Sequence, residues 1–129
     1  MKLLLDTHAF ILFAGNPEGL TANTRAALAD PANDLLLSLA SPWEMQIKVG
    51  LGKLQLHKPP RELVQFEVDR GALALLPITL AHIDELSRLP SHHRDPFDRM
   101  IVAQARSEGL TLVSGDRNVR LYGVDCLWD

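Results

Sequence analysis

Leu3-Leu4-Leu5-Asp6 places three consecutive apolar residues directly before an acid. A short apolar run that does not alternate with polar residues is typical of a strand covered on both faces. Similar runs predict further strands along the chain at 35–39, 73–76, 110–113 and 124–127. The first segment therefore predicts a buried strand that ends at Asp6.

Helical segments separate these strands. Capping residues, prolines and glycines delimit them at 7–13, 21–30, 42–50, 59–71, 79–89 and 96–108. Strands that alternate with helices favour a parallel sheet with right-handed crossovers. We therefore expect an α/β fold, a three-layer α/β/α sandwich with a central parallel sheet.

Length and composition limit the class of protein. The chain has 129 residues, which is the size of one domain, so we expect a single domain over 1–129. The lone Cys126 excludes an intramolecular disulfide and a multi-cysteine zinc site, and fits a reducing, cytoplasmic environment. No apolar run approaches the ~20 residues of a membrane span, and Asp6 comes too early for a signal peptide. The net charge of −3 argues against binding of nucleic acid by bulk charge alone.

Four acids are predicted to meet at the carboxyl edge of the sheet, where proteins of this class bind ligands. Asp6 follows the first strand and Asp116 follows the fourth. Glu44 and Asp98 lie in the first turns of two predicted helices, and crossover helices begin at the same edge. Converging carboxylates repel each other unless a cation lies between them, and Mg²⁺ or Mn²⁺ is the natural occupant. Such a metal can generate hydroxide and stabilise charge on a phosphate.

Each acid also has a purely structural explanation. Two helix starts, Ser41-Pro42-Trp43-Glu44 and Asp95-Pro96-Phe97-Asp98, share the order cap, proline, aromatic, acid. Glu44 can complete a capping box with Ser41, and Asp95 can cap its helix. Asp6 and Asp116 can cap the short helical segments that follow them. The aromatic residue of each start is expected to be a core anchor rather than a surface for base stacking.

Polar and basic residues near these acids complete the predicted site. Thr7 and Ser114 can either hold a carboxylate or cap a helix. The neighbouring His92 and His93 lack zinc spacing and indicate a solvated loop. A set of basic side chains can form a rim that binds a nucleic-acid backbone, or can simply face solvent. They are Lys48, Lys53, Lys58, Arg61, Arg94, Arg99, Arg117 and Arg120.

Four blocks of the sequence resemble the motifs of PIN-domain ribonucleases, in the same order. They are Leu3-Leu4-Leu5-Asp6-Thr7-His8, then Ser41-Pro42-Trp43-Glu44 with Lys48 and Gly52-Lys53-Leu54, then His93-Arg94-Asp95-Pro96-Phe97-Asp98-Arg99-Met100-Ile101-Val102-Ala103-Gln104-Ala105, then Leu112-Val113-Ser114-Gly115-Asp116. Together these blocks span nearly the whole chain. Within that family the sequence looks like the VapC toxins of bacterial type II toxin–antitoxin pairs.

This resemblance implies a Mg²⁺- or Mn²⁺-dependent endoribonuclease. Such enzymes hydrolyse RNA phosphodiester bonds, are usually homodimers, and are inhibited by a small VapB-like antitoxin. The metal carboxylates of the family map onto Asp6, Glu44, Asp98 and Asp116. Asp95 is then chiefly the helix cap, with a metal role as the alternative. The family often has a further acid or Asn shortly after its fourth acid. In this sequence Asn118 is the only polar candidate for that position.

Of two rival interpretations, only the first stays open. A binding module of PIN-like fold, without catalytic activity, would use the same acids merely as helix caps. A phosphotransfer receiver would need an acid at the end of its central third strand, where this sequence has Leu76-Pro77. Cleavage of RNA by the purified chain would separate the enzyme from the binding module.

Overall fold

The structure is a computed structural model that describes residues 1–92 and 95–129. Five strands form one sheet in the order β3-β2-β1-β4-β5, and every neighbouring pair is parallel. The strands are β1 (Lys2–Leu5), β2 (Asp34–Ser38), β3 (Ala74–Leu76), β4 (Thr111–Val113) and β5 (Cys126–Leu127). The predicted parallel sheet is confirmed.

Helices connect consecutive strands, as the sequence predicts. They are α1 (Thr7–Gly15), α2 (Ala22–Ala29), α3 (Ala40–Gly50), α4 (Pro60–Asp69), α5 (Leu80–Leu86), α6 (Pro96–Glu108) and α7 (Arg117–Arg120), with a 3-10 turn at Pro17–Gly19. Several boundaries differ from prediction by two or three residues. Helix α3 begins at Ala40 rather than at 42, and α5 ends at Leu86 rather than at 89. In addition, α1 ends at Gly15 rather than at 13, α4 ends at Asp69 rather than at 71, and β5 begins at Cys126 rather than at 124. Among the described residues, no helix has both the length and the apolar character needed to cross a membrane.

Apolar side chains cover both faces of the sheet. Leu3 and Leu5 of β1 belong to a core cluster that includes Phe10 of α1. Leu4, between them, points to the opposite face and joins a cluster that includes Ile101 of α6. Since successive side chains of a strand alternate between faces, the non-alternating apolar run of β1 serves two cores at once. This confirms the three-layer α/β/α architecture.

The two central strands end side by side. Lys2–Leu5 pairs with β4 through Leu5 and Val113, and the N–H of Asp6 donates to the carbonyl of Val113 at 3.0 Å. The N–H of Ser114 donates to the carbonyl of Leu127 of β5 at 3.2 Å. These bonds hold the residue that follows β1 against the end of β4, and the residue that follows β4 against the end of β5, at the carboxyl edge.

Candidate active site

The four predicted acids line one cavity at this edge. The cavity has a volume of about 560 Å³. Its lining includes Asp6, Glu44, Asp98 and Asp116, together with Thr7, His8, Ile11, Lys48, Lys53, Leu54, Gly115 and Trp128. Residues that follow β1 and β4 are thus brought together with residues of α3 and α6, as the topology argument predicts.

Asp6 is a helix cap and a buried carboxylate at the same time. Its Oδ1 accepts the N–H of Ala9 at 2.7 Å, which confirms that it caps α1, and its residue is only 9% exposed. Burial raises the pKa of Asp6, and the negative charge of Asp116 adds to that effect. The Ser114 hydroxyl and the Ala9 N–H act in the opposite direction on this pKa. An ionised Asp6 is therefore only partly compensated by its protein neighbours.

Asp116 plays the equivalent role after β4. Its Oδ1 accepts the N–H of Asn118 at 2.9 Å, so the predicted cap of α7 is confirmed. Its own N–H donates to Ser114 Oγ at 3.1 Å. Ser114 is fully buried and its hydroxyl bonds the carboxylate of Asp6 and the backbone of Asp116, so it holds one carboxylate, which is one of the two roles predicted for it.

Glu44 departs from its predicted structural role. A capping box between Ser41 and Glu44 is wrong, because α3 has already begun at Ala40 and Ser41 lies inside it. Ser38 Oγ accepts the Ala40 N–H at 3.0 Å instead. Glu44 consequently lies beyond the first turn of α3 and is 4% exposed.

Both oxygens of Glu44 have partners. Oε1 accepts the Thr7 hydroxyl at 2.6 Å, and Oε2 pairs with Lys48 Nζ at 2.5 Å. The hydroxyls of Thr7 and Ser41 lie 2.9 Å apart, so Ser41 can donate to Thr7 while Thr7 donates to Glu44. Hydrogen bonding to Glu44 raises the pKa of Lys48, and the charges of Asp95 and Asp98 raise it further. Thr7 thus holds a carboxylate, one of the two roles predicted for it.

Asp95 and Asp98 have different positions although they are only three residues apart. Asp95 Oδ1 accepts the N–H groups of Phe97 at 2.8 Å and Asp98 at 3.1 Å, which confirms the predicted cap of α6. Of the residues that the structure describes, those that line the cavity include Asp98 and leave out Asp95. His93 and Arg94, predicted as part of a loop beside the site, lie outside the described residues.

The carboxylates surround a common space without forming a ready-made ligand cage. Within residues 1–92 and 95–129, no group of three His, Cys, Asp or Glu side chains is close enough to be a metal-binding cluster. The partners of Glu44 account for part of this, since Thr7 and Lys48 hold both of its oxygens. The donor set nevertheless suits Mg²⁺ or Mn²⁺, because carboxylate oxygens are the ligands these cations prefer. A cation would also offset the burial of Asp6.

Other predictions near the site have mixed outcomes. Trp43 is 60% exposed, so its assignment as a core anchor is wrong, whereas Phe97 is partly buried against the second core cluster. The two rings meet edge to face with centroids 4.9 Å apart. Lys48 and Lys53 reach the cavity as predicted, but Lys58 lies over the ring of Phe66.

Trp128 is a lining residue that sequence reasoning missed. It follows β5, and the pairing of Cys126 and Leu127 with β4 places it beside the residues that follow β4. That pairing joins segments more than ten residues apart, and the local sequence around Trp128 carries no signal for it.

A parallel α/β sandwich with four acids around a cavity beyond its central strands belongs to the class of α/β proteins that bind ligands at the carboxyl ends of their strands. A family model described as PIN domain matches residues 3–124, and the chain belongs to this family. The resemblance inferred from the four sequence blocks is therefore confirmed. Ribonuclease VapC16 of Mycobacterium tuberculosis is 39% identical over 59 residues, which are 46% of this chain and 42% of that protein. The match thus spans less than half of the length of this relative.

Solved structures share the whole fold at low sequence identity. VapBC2 from Rickettsia felis, bound to a DNA fragment from its promoter, is similar with a TM-score of 0.73 and 17% identity over 100% of both chains. DNA-bound VapBC from Salmonella typhimurium has a TM-score of 0.71 at 19% identity and covers 98% of this chain and 97% of that one. VapBC-1 from nontypeable Haemophilus influenzae has a TM-score of 0.65 at 16% identity, with 98% and 97% covered. These similarities establish the fold.

Proposed function

We propose that this protein is a Mg²⁺- or Mn²⁺-dependent endoribonuclease and the toxin of a toxin–antitoxin pair. The observation that carries the proposal is the convergence of Asp6, Glu44, Asp98 and Asp116 on one cavity, with Lys48 and Lys53 in the same lining. Membership of the PIN domain family and the partial match to Ribonuclease VapC16 support the choice of RNA as substrate. A toxin that acts on cellular RNA works in the cytoplasm, where we place this protein.

The four carboxylates would hold the cation, and the remaining lining residues prepare the site for it. A divalent cation bound there supplies a water of lowered pKa and offsets charge on the phosphate. Thr7 and Lys48 bond both carboxylate oxygens of Glu44 and so fix its position. A hydrogen bond from Ser114 favours the charged form of Asp6, against the effect of burial. The ammonium groups of Lys48 and Lys53 are placed to attract RNA phosphates toward an otherwise acidic cavity.

Charge arithmetic supports a role for a cation. Removing the four site acids from the 16 acidic residues leaves 12 against 13 basic ones, which changes the net charge from −3 to +1. The lining of the cavity has four acids against Lys48 and Lys53, which is a net charge of −2 out of the −3 of the whole chain. An RNA phosphate is repelled there until a cation is present.

An inactive binding module is the second candidate, because Asp6 and Asp116 do cap helices. Capping uses Oδ1 of each residue. A carboxylate offers about four lone-pair sites on two oxygens, so capping and metal ligation are compatible. Moreover, Glu44 and Asp98 reach the cavity while other residues cap their helices. These two acids favour the enzyme over the module.

Cleavage of single-stranded RNA by the purified chain tests the proposal. We expect cleavage with Mg²⁺ or Mn²⁺, none in chelator, and products with 5′-phosphate and 3′-hydroxyl ends. Attack by the RNA's own 2′-hydroxyl would leave cyclic phosphates and would need histidines instead of a metal. Cyclic ends that persist in chelator would overturn the carboxylate mechanism and direct attention to His92 and His93.

An antitoxin is expected to cover this cavity. A groove adjoins it, and Ile11 lines both; the groove has the apolar residues Ile11, Leu12, Leu56 and Leu63 together with the polar residues Asn16, Gln55 and His57. The groove suits the apolar face of a helix, and an inserted Arg or Lys would pair with the carboxylates and displace the cation. Mutation of that inserted residue should restore cleavage more than it weakens binding. A complex in which the antitoxin lies far from Asp6 and Asp116 would contradict this arrangement.

A homodimer is supported by the exposed side of α3. Trp43 and Ile47 lie four residues apart on this helix, and Leu51 follows directly after it; all three are exposed large apolar residues. Such an apolar stripe is typical of an interface between chains. We expect sedimentation to show a dimer that Ile47→Asp converts to a monomer. Leu121→Asp is the control, since Leu121 is also exposed but lies outside the stripe; equal effects of both changes would rule out the stripe.

A further inference from the structure

The cavity has an apolar part that the proposed function leaves without a role. Beside the carboxylates and lysines, its lining includes Ile11, Leu54 and Trp128. A phosphate and a cation need only the charged part. A volume of about 560 Å³ lies within the range of small-molecule sites, so there is room for more of a nucleotide than its phosphate.

Trp128 is held in place from two sides. Its carbonyl oxygen accepts the hydroxyls of Thr21 and Thr24 at the start of α2. Its indole ring packs on Gly115, where a Cβ atom would stand 2.7 Å from Cε2 of the ring. A side chain at 115 would therefore push the indole away. The glycine places the ring directly beside the backbone that carries Asp116.

We propose that Trp128 stacks on a base of single-stranded RNA next to the phosphate that the carboxylate site binds. This inference rests on the proposed function, whose substrate site it completes. Stacking on an aromatic ring suits any base, because every base has a π-face. It also suits this location, because a base is uncharged and can lie among acids that repel a second phosphate. The expected preference is for unpaired RNA with little dependence on base identity.

A purely structural role for Trp128 makes a different prediction. The residue packs against the first core cluster, so truncating it also disturbs the fold. Trp128→Phe keeps an aromatic face and most of the packing, whereas Trp128→Leu keeps only apolar volume. A stacking role requires Phe to retain and Leu to lose discrimination for bases. If Trp128 serves the core alone, both variants should discriminate between normal and abasic RNA to the same extent as wild type.

Fluorescence tests stacking without any cleavage. The chain has two tryptophans, so Trp43→Phe leaves Trp128 as the only source of tryptophan fluorescence. In that background, with Asp98→Asn to prevent hydrolysis, an RNA oligonucleotide is titrated in Mg²⁺ against one of equal length with abasic sugars. We expect quenching by the normal RNA and about tenfold weaker binding of the abasic one. Equal binding and equal quenching by both oligonucleotides would overturn the inference.

Cleavage by the otherwise unaltered chain gives the second readout. The ratio of kcat/KM for normal over abasic RNA should be about tenfold in wild type and in Trp128→Phe, and close to one in Trp128→Leu. Affinity for Mn²⁺, measured by electron paramagnetic resonance, should be the same in all three. Cleavage with an unchanged ratio in Trp128→Leu would overturn the stacking role and leave the nuclease intact. Base-dependent quenching in a chain that cleaves nothing would retain the stacking role and overturn the nuclease.

Discussion

The starts of α3 and α6 carry the same pattern of residue types and yet are built differently. In α6 the pattern matches its structure: Asp95 caps, Pro96 is the first helical residue and Asp98 lies in the first turn. In α3 the pattern Ser41-Pro42-Trp43-Glu44 lies wholly inside a helix that begins at Ala40. The two segments also touch, since Trp43 and Phe97 meet edge to face. Two helices of one site therefore begin in different ways although their sequences share a pattern.

The side chain that accepts the first free N–H groups of each helix explains the difference. At α3, Ser38 at the end of β2 accepts the N–H of Ala40, so the helix begins before Ser41. Ser41 is then available to bond with Thr7, and Glu44 turns toward Thr7 and Lys48. At α6, Asp95 itself receives the first N–H groups. Both acids line the cavity, but Glu44 is part of a buried hydrogen-bonded network, whereas Asp98 follows a separate residue that caps its helix.

Of these two acids, the α6 acid should have the larger effect on catalysis. Asp98→Asn should lower kcat for RNA cleavage about 10²- to 10³-fold, because it removes a charge placed where the reaction needs one. The thermal midpoint should change little, since Asp95 supplies the cap. Asp95→Asn, which keeps the capping oxygen, is the matched control and should stay near wild-type activity. The reverse outcome would transfer the metal role to Asp95.

The α3 acid should have the smaller effect on catalysis. Glu44→Gln keeps an oxygen for Thr7 but loses the ion pair with Lys48, and we expect cleavage about 10- to 100-fold below wild type.

Glu67 provides the matched control for this change. It is also 4% exposed and pairs with Arg70 at 2.6 Å, and it is part of α4 rather than of the cavity lining. Glu67→Gln should affect unfolding in urea about as much as Glu44→Gln, by roughly 1 kcal/mol or less because both cations are partly exposed. If Glu67→Gln lowers cleavage equally, the loss in Glu44→Gln reflects stability alone.

The same two segments show how far sequence reasoning reaches. Strand β1 and its terminal Asp6 are predictable because an apolar run and the acid after it are local features. The start of α3 is not, because it depends on whether Ser38 or Ser41 receives the first free N–H, and both are chemically able to do so. The exposure of Trp43 and the placement of Trp128 depend on how distant elements pack, which no local pattern encodes.

The contrast in capping predicts a third, smaller effect on stability. Asp95→Ala should lower the free energy of unfolding by about 1 kcal/mol, as expected for loss of a helix cap. Ser41→Ala removes a buried hydrogen bond worth about 0.5–1.5 kcal/mol, partly offset by the better helix propensity of alanine. Hydrogen exchange should separate the two: amides of Phe97 and Asp98 exchange faster in Asp95→Ala, while the first turn of α3 stays protected in Ser41→Ala. Fraying of α3 in the latter would restore Ser41 as its cap.

Asp6 combines the features of both segments, and its effect on stability should be the smallest and the most dependent on pH. It caps a helix as Asp95 does and is buried as Glu44 is. Burial raises its folded pKa above the ordinary value of 3.8. Between these two values the folded chain binds more protons than the unfolded chain, so stability falls as pH rises through this window and stays lowered above it. Asp6→Asn keeps an oxygen for the Ala9 N–H but cannot ionise. It should therefore exceed wild type in free energy of unfolding at neutral pH and lose that advantage below pH 3.8, while cleavage is abolished.

Added Mg²⁺ should then stabilise wild type more than Asp6→Asn, because only the wild type retains the full ligand set. Asp30→Asn is the control, since Asp30 also accepts a backbone N–H, from Ala32, but is exposed. Urea unfolding at several pH values measures both variants, and an Asp6→Asn chain less stable than wild type at neutral pH would contradict the burial argument.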